Sequence, residues 1–174
     1  MPVSRIAGLS LVAFTLAAIP AAAQDTRPVE VTPYVGVGTE AAPRVGTAVT
    51  FPITPKLSLE TDMAYRRGEG HINALSTNVS LLWFTPRIGR SSPYIVGGVG
   101  LEQYGAPVFG APSGLPIGTQ SRLRPTVNAG GGVKTPMNDK LDLRTDARWF
   151  KSFGNQGSEQ FRVAQGLSFD VGKR

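Results

Sequence analysis

Beyond residue 28 the chain alternates between apolar and polar residues with a period of two. Over 57–66, Leu57, Leu59, Thr61, Met63 and Tyr65 share one parity, and Ser58, Glu60, Asp62, Ala64 and Arg66 share the other. Over 141–150, Leu141, Leu143, Thr145, Ala147 and Trp149 oppose Asp142, Arg144, Asp146, Arg148 and Phe150. Over 160–171, Phe161, Val163, Leu167, Phe169 and Val171 oppose Arg162, Ala164, Gly166, Ser168 and Asp170. Successive side chains of a strand point to opposite faces, so these runs predict strands with one apolar and one polar face. Five more runs complete the set, at 29–38, 44–51, 74–84, 94–103 and 122–134. Most of the eight have the roughly 9–11 residues that a tilted strand needs to cross a bilayer.

The placement of charge strengthens this reading. The runs hold 15 charged residues, and all lie on the parity opposite the aliphatic one. Loops would scatter them. A slip of one residue would exchange the faces, so the pattern also sets the register. Thr-Pro pairs follow the second, fourth and sixth runs, at Thr54-Pro55, Thr85-Pro86 and Thr135-Pro136. Proline lacks a ladder donor and presets a turn, so these pairs predict turns at one end of the sheet. The other end is expected to carry longer connections, chiefly a loop over 105–121 that contains no charge and repeats Gly-Ala-Pro. One short-turned and one long-looped end is the asymmetry of outer-membrane barrels. Aromatic residues of aliphatic parity mark both ends: Phe51, Trp83 and Phe169 near the Thr-Pro turns, and Tyr65, Trp149 and Phe161 near the loops. Two such belts are expected where strands leave a bilayer.

The segment before the first run sets a compartment. Arg5 precedes an apolar stretch over 6–19, Pro20 ends it, and Ala21-Ala22-Ala23 follows. This is the order of a secretory signal peptide, 1–23, with cleavage expected after Ala23. The apolar stretch is too short for a spanning helix, which needs about 20 residues. No later segment resembles a spanning helix. A chain that spans a membrane without helices must do so as a closed sheet, the other structure that pairs its backbone groups in lipid. The formal net charge of +6 would suit nucleic acid, but the basic residues do not cluster and the chain is exported, so no nucleic-acid partner is expected. There is no cysteine, hence no disulfide framework and no thiolate metal site.

The pattern resembles the eight-stranded outer-membrane β-barrel family, the OmpA-transmembrane-domain and OmpX-like proteins. The resemblance spans 24–174 and is carried locally by Pro33-Tyr34-Val35-Gly36-Val37-Gly38 and by Pro93-Tyr94-Ile95-Val96-Gly97-Gly98-Val99-Gly100. It implies an all-β fold, an eight-stranded antiparallel up-and-down transmembrane β-barrel, contacting outer-membrane lipid and assembled by the barrel-assembly machinery. The chain departs from the family at its end, where Phe169 is followed by Asp170-Val171-Gly172-Lys173-Arg174 instead of closing on an aromatic residue.

In such a barrel the charged parity lines the lumen. A barrel of about eight strands is just wide enough for its own side chains to fill it. Glu60, Asp62, Glu102, Arg122, Arg124, Asp142, Arg144, Asp146, Arg148 and Arg162 are expected to pair there as a structural network, joined by Glu30, Arg44, Arg66, Lys134 and Asp170. A wide pore is not expected. Glycines on the same parity leave room for Tyr34 or Tyr94 from a neighbouring wall.

Catalytic candidates are few. His71 is the sole histidine, with Glu69, Asn73 and Ser76 nearby. A nucleophile needs a base within hydrogen-bond reach, and His71 and Ser76 would point to opposite faces of a strand. Glu60 and Asp62 share a face, but arginines on that wall favour ion pairing over catalysis. No catalytic residue, cofactor or metal is therefore expected, and the chain reads as a non-enzymatic envelope protein with a structural or surface-interaction role, its surface partner reached through 105–121. Two other readings stay open at this point. One is a soluble periplasmic β-barrel that encloses an apolar ligand, with Val, Leu and Phe inside and the charges outside. The other, resting on His71, is a lipid-A-modifying outer-membrane enzyme.

Overall fold

The computed structural model describes residues 28–39, 42–67, 73–109, 116–154 and 157–171. The expected signal peptide and His71 lie outside them. The eight expected strands are present: β1 (Val29–Gly38), β2 (Pro43–Pro52), β3 (Leu57–Arg67), β4 (Asn73–Phe84), β5 (Ser92–Phe109), β6 (Pro116–Asn138), β7 (Leu141–Ser152) and β8 (Glu159–Val171). Each pairs antiparallel with the next, and β1 pairs with β8, so the sheet closes into a barrel. Closure removes both sheet edges.

The register keeps like with like. Val99 stands between Val79 and Val127, and Val31 between Val49 and Phe169. These rows point outward: Val35 and Val99 are each 63% exposed. The alternate rows point inward. Glu60 is paired to Thr50 on one side and Ser80 on the other, and all three are buried. The barrel therefore encloses its polar residues and presents its aliphatic ones. A ligand-binding barrel with an apolar interior needs the reverse, and the structure overturns that reading.

Three features depart from expectation. First, the segment 105–121 is for the most part not a loop. β5 continues to Phe109 and β6 starts at Pro116, paired from Gly105↔Ser121 to Phe109↔Pro116. Pairing of β4 to β5 ends at Asn73↔Gly105, and pairing of β6 to β7 ends at Thr126↔Ser152. The extension is thus a two-stranded ribbon rising past the wall, with its outer edges unpaired among the described residues. Pro107 and Pro116 are tolerated because strands with a free edge can spare a donor. The two ends of the barrel differ by this ribbon more than by connection length.

Second, Thr135-Pro136 is not a turn. Both residues lie in β6, opposite Leu143 and Asp142, with a bulge just beyond. The reversal falls at Asp139-Lys140, where the Asn138 Oδ1 accepts from the Lys140 N–H at 3.0 Å. Thr54 and Thr85 do cap turns: Thr54 Oγ1 accepts from the Leu57 N–H at 3.0 Å, and Thr85 Oγ1 donates to the Pro93 carbonyl at 3.2 Å. Third, the lumen is not polar throughout. Leu82, Phe84, Tyr94 and Val96 form an apolar cluster inside the Thr-Pro end, with Phe84 and Tyr94 centroids 5.5 Å apart.

Candidate functional site in the barrel interior

The centre of the lumen is an ionic cluster supplied by five strands. β3 contributes Glu60 and Asp62, and β7 contributes Arg144, Asp146 and Arg148. β8 adds Arg162, β1 adds Tyr34 and β5 adds Tyr94. Arg144 Nη1 and Arg148 Nη2 reach the two oxygens of Glu60 at 2.5 and 2.6 Å. Both guanidiniums also contact Asp146 Oδ2 at 3.0 Å. Arg162 Nη1 lies 3.2 Å from Asp62 Oδ2 and donates to Tyr34 Oη at 2.9 Å, while Tyr34 Oη donates to Asp62. Asn78 Nδ2 donates to the other oxygen of Asp62 at 2.7 Å. Tyr94 Oη accepts from Arg144 Nε at 2.8 Å and donates to Asp146 at 3.2 Å.

The alternation of sign along β7 explains the geometry. Asp142, Arg144, Asp146 and Arg148 stack on one wall, so Asp146 lies between two arginines of its own strand. Glu60, which is fully buried, approaches the same pair from the opposite wall. Three arginines thus meet three carboxylates. Taking charges out of water costs several kcal/mol per ion, so such groups persist when they are paired and hydrogen-bonded. Arg162 gains further from aromatic faces, with its guanidinium carbon 4.9 Å from both the Tyr34 and Phe150 ring centroids.

Two glycines make space for the tyrosines. Tyr34 faces Gly46 across the β1–β2 pair, and a Cβ on Gly46 would stand 2.5 Å from the Tyr34 Cζ. Tyr94 faces Gly132 across β5–β6, and a Cβ there would collide with its phenol. What remains at the centre is a cavity of about 10 Å³, lined by Glu60, Asp62, Arg144, Arg148 and Arg162 among others. That is about one water-sized sphere.

The remaining residues of the expected network lie away from this centre. Toward the ribbon end, Glu102 accepts from Tyr104 Oη at 2.6 Å and Ser152 Oγ at 3.0 Å, and Arg44 donates to Gln160. Arg124 stacks 4.9 Å from the Tyr104 ring centroid. Arg122 is exposed instead of enclosed, because it sits on the ribbon above the last β7 partner. Toward the Thr-Pro end, Lys134 pairs with Glu30, and Asp142 and Asp170 are half-buried. Tyr34, Tyr94 and Asn78 complete the central network. Their inward parity was readable in the sequence, whereas their partners were not.

The six aromatic residues assigned to belts all point outward. Trp83 is 59% exposed, Tyr65, Trp149, Phe161 and Phe169 are exposed, and Phe51 is half-buried. Candidate chemistry is sparse. Ser76 Oγ donates to the Ala64 carbonyl at 3.4 Å, and Glu60 and Asp62 are both held in ion pairs. Among the described residues no group of three or more His, Cys, Asp or Glu side chains is placed to hold a metal ion.

No protein-family model matches the chain, and no curated protein matches it in sequence. Solved structures do. The barrel is similar to Neisserial surface protein A, with a TM-score of 0.66 at 11% identity, covering 82% of this chain and 96% of that one. It is similar to Ail, the attachment invasion locus protein of Yersinia pestis, with a TM-score of 0.55 at 12% identity, covering 84% of this chain and 100% of that one. Ail has also been crystallised in complex with the heparin analogue sucrose octasulfate. The outer membrane enzyme PagL is similar as well, with a TM-score of 0.54 at 13% identity, covering 82% of this chain and 99% of that one. At these identities the likeness establishes the fold, a closed eight-stranded antiparallel barrel of the outer-membrane type.

Proposed function

We propose that the chain is an integral outer-membrane barrel, exported through a signal peptide over 1–23 that is cleaved after Ala23, and that it serves a structural or surface-interaction role. One observation carries this reading: ionic side chains occupy the centre of the interior while Val, Leu, Ile and aromatic side chains cover the outside of a closed sheet. In water that outer wall would be an apolar surface far larger than soluble proteins expose. In a bilayer it matches the acyl chains. The outward Trp83, Phe51 and Phe169 at one end, and Tyr65, Trp149 and Phe161 at the other, then serve as interfacial belts. Leu81, Val99 and Val163 lie between them.

The role assigned is non-enzymatic. PagL shares the fold and is an enzyme, but Ser76 here is bonded to backbone and the inward carboxylates are held by arginines. The lumen is a strut and not a conduit, since its ionic centre leaves room for about one water. The ribbon formed from 105–109 and 116–121 is the proposed contact for a surface partner, being the part that rises past the wall. The barrel-assembly machinery is the proposed route of insertion.

Fractionation tests the assignment. The mature protein should pellet with outer membranes, begin at Gln24 by mass spectrometry, and migrate differently in detergent gels before and after boiling. Release by osmotic shock as a soluble species would overturn it.

A further inference from the structure

The Thr-Pro end carries a pattern that strand parity does not explain. Lys56, Arg87, Arg90 and Lys140 are all exposed on its three turns, where Asp139 is the single acid. Ile53, Ile88 and Met137 stand exposed among them, Ile88 at 74%. The middle turn is built to present these groups. The backbones of Ile88 and Ser91 exchange hydrogen bonds of 3.0 and 3.1 Å, and Gly89 makes the reversal at a φ of 61°. Arg87, Ile88 and Arg90 therefore share one fingertip. Lys56 is fixed to the wall, its carbonyl accepting from the Phe84 N–H at 2.8 Å, next to the outward Trp83. At the ribbon end the half-buried Lys151 is paired to Glu159 at 3.2 Å, and Arg122 is the exposed cation.

An apolar side chain flanked by cations, set just beyond a ring of outward aromatics, matches a bilayer interface. The aliphatic part enters the acyl boundary, and the cations meet phosphate. We propose that this end of the barrel binds anionic phospholipid in the leaflet it faces, with Lys56, Arg87, Arg90 and Lys140 on the headgroups and Ile53, Ile88 and Met137 below them. Charge selects the ligand: four exposed cations outnumber the exposed Asp139 and the half-buried Asp142 and Asp170 at this end, which favours phosphatidylglycerol-type lipid over zwitterionic lipid. The inference rests on the membrane reading above.

Trp83 supplies the measurement. The chain has two tryptophans, so Trp149→Phe leaves one indole, at the basic end. The full chain is refolded into mixed phosphatidylcholine–phosphatidylglycerol vesicles in which one lipid or the other carries brominated acyl chains, and folding is checked by heat-dependent migration. Brominated phosphatidylglycerol should quench Trp83 about 5-fold more effectively per lipid, the attraction of roughly one basic residue to an anionic surface. Replacing all four cations by Gln should abolish the preference, and salt should shrink it by screening. In a Trp83→Phe chain, which reports from Trp149 at the other end, the four Gln substitutions should change nothing. Equal quenching by the two lipids at Trp83, or a preference that survives the four substitutions, overturns the proposal. Quenching by brominated phosphatidylcholine without preference would leave the membrane reading standing. No quenching by either lipid would remove both.

Discussion

Arg148 and Glu60 meet across the lumen from β7 and β3, Nη2 to Oε1, at 2.6 Å. Both side chains are essentially inaccessible, at 1% and 0% exposure. Removing one partner of a buried pair strands the other, at a cost of roughly 3–5 kcal/mol. Arg148→Ala, Asp146→Ala and Glu60→Ala should therefore each lower the melting temperature in detergent. Thr145→Ala, on the opposite parity of the same strand, should fall within about 0.5 kcal/mol of the parent. Equal melting temperatures for all four would contradict a paired interior.

Gly97 and Gly98 are neighbours with opposite fates. A Cβ on Gly97 would come no closer than 3.8 Å to its nearest neighbour, whereas one on Gly98 would press on Ser80 and the Val79 carbonyl. Gly97→Val should leave folding yield and stability nearly unchanged. Gly98→Val should cost about 1–3 kcal/mol through overpacking. Urea titration in lipid vesicles reads the difference, and reversal of the order would mean that the register is displaced by one residue.

Outward Val99 lies between Val79 and Val127, midway along the wall. An exposed Val→Arg change on a water-soluble protein usually shifts stability by no more than about 0.5 kcal/mol. At a bilayer midplane it costs roughly 2–4 kcal/mol. Val99→Arg should therefore destabilise the vesicle-inserted barrel by the larger amount, while Ile53→Arg, on a turn, should cost about 0–1 kcal/mol. A small effect at Val99 would place that face in water.

The filled centre predicts electrical silence. In planar bilayers the folded chain should give no stepwise conductance, because Arg144, Arg148 and Arg162 close the lumen against Glu60, Asp62 and Asp146. Sustained, uniform openings from the unaltered chain would show that the plug moves.

Much of this was legible in the sequence, because a closed sheet in lipid imposes a simple rule on parity. Eleven of the charged residues assigned inward are buried, from Glu30 to Arg162. The partners were not legible. That Asp62 meets Arg162 depends on β3 and β8 facing each other across the lumen, which period-two alternation does not encode. The ribbon was missed because 105–121 offers neither charge nor regular alternation, and its prolines read as breakers until the unpaired edges explain them. Arg122 was assigned inward on parity alone: it pairs with Tyr104 of β5 but lies beyond the last β7 partner. The turn at Asp139-Lys140 was masked by a nearby Thr-Pro that a bulge accommodates inside β6. The inward Leu82, Phe84 and Val96 break the polar rule inside the Thr-Pro end, where they cluster with Tyr94.

The pairing of β1 with β8 has a consequence for assembly. Arg162 arrives on the final strand, yet its carboxylate is on the third and its phenol partner on the first. Until the seam zips, Arg162 has neither of these counterparts and remains hydrated. Intermediates with an unjoined seam therefore gain little from the ionic centre, and its stabilisation comes at the last step. Ring closure of this kind joins residues far apart along the chain, which makes folding slow. A nascent or unfolded chain would thus need shielding until its two outermost strands find each other.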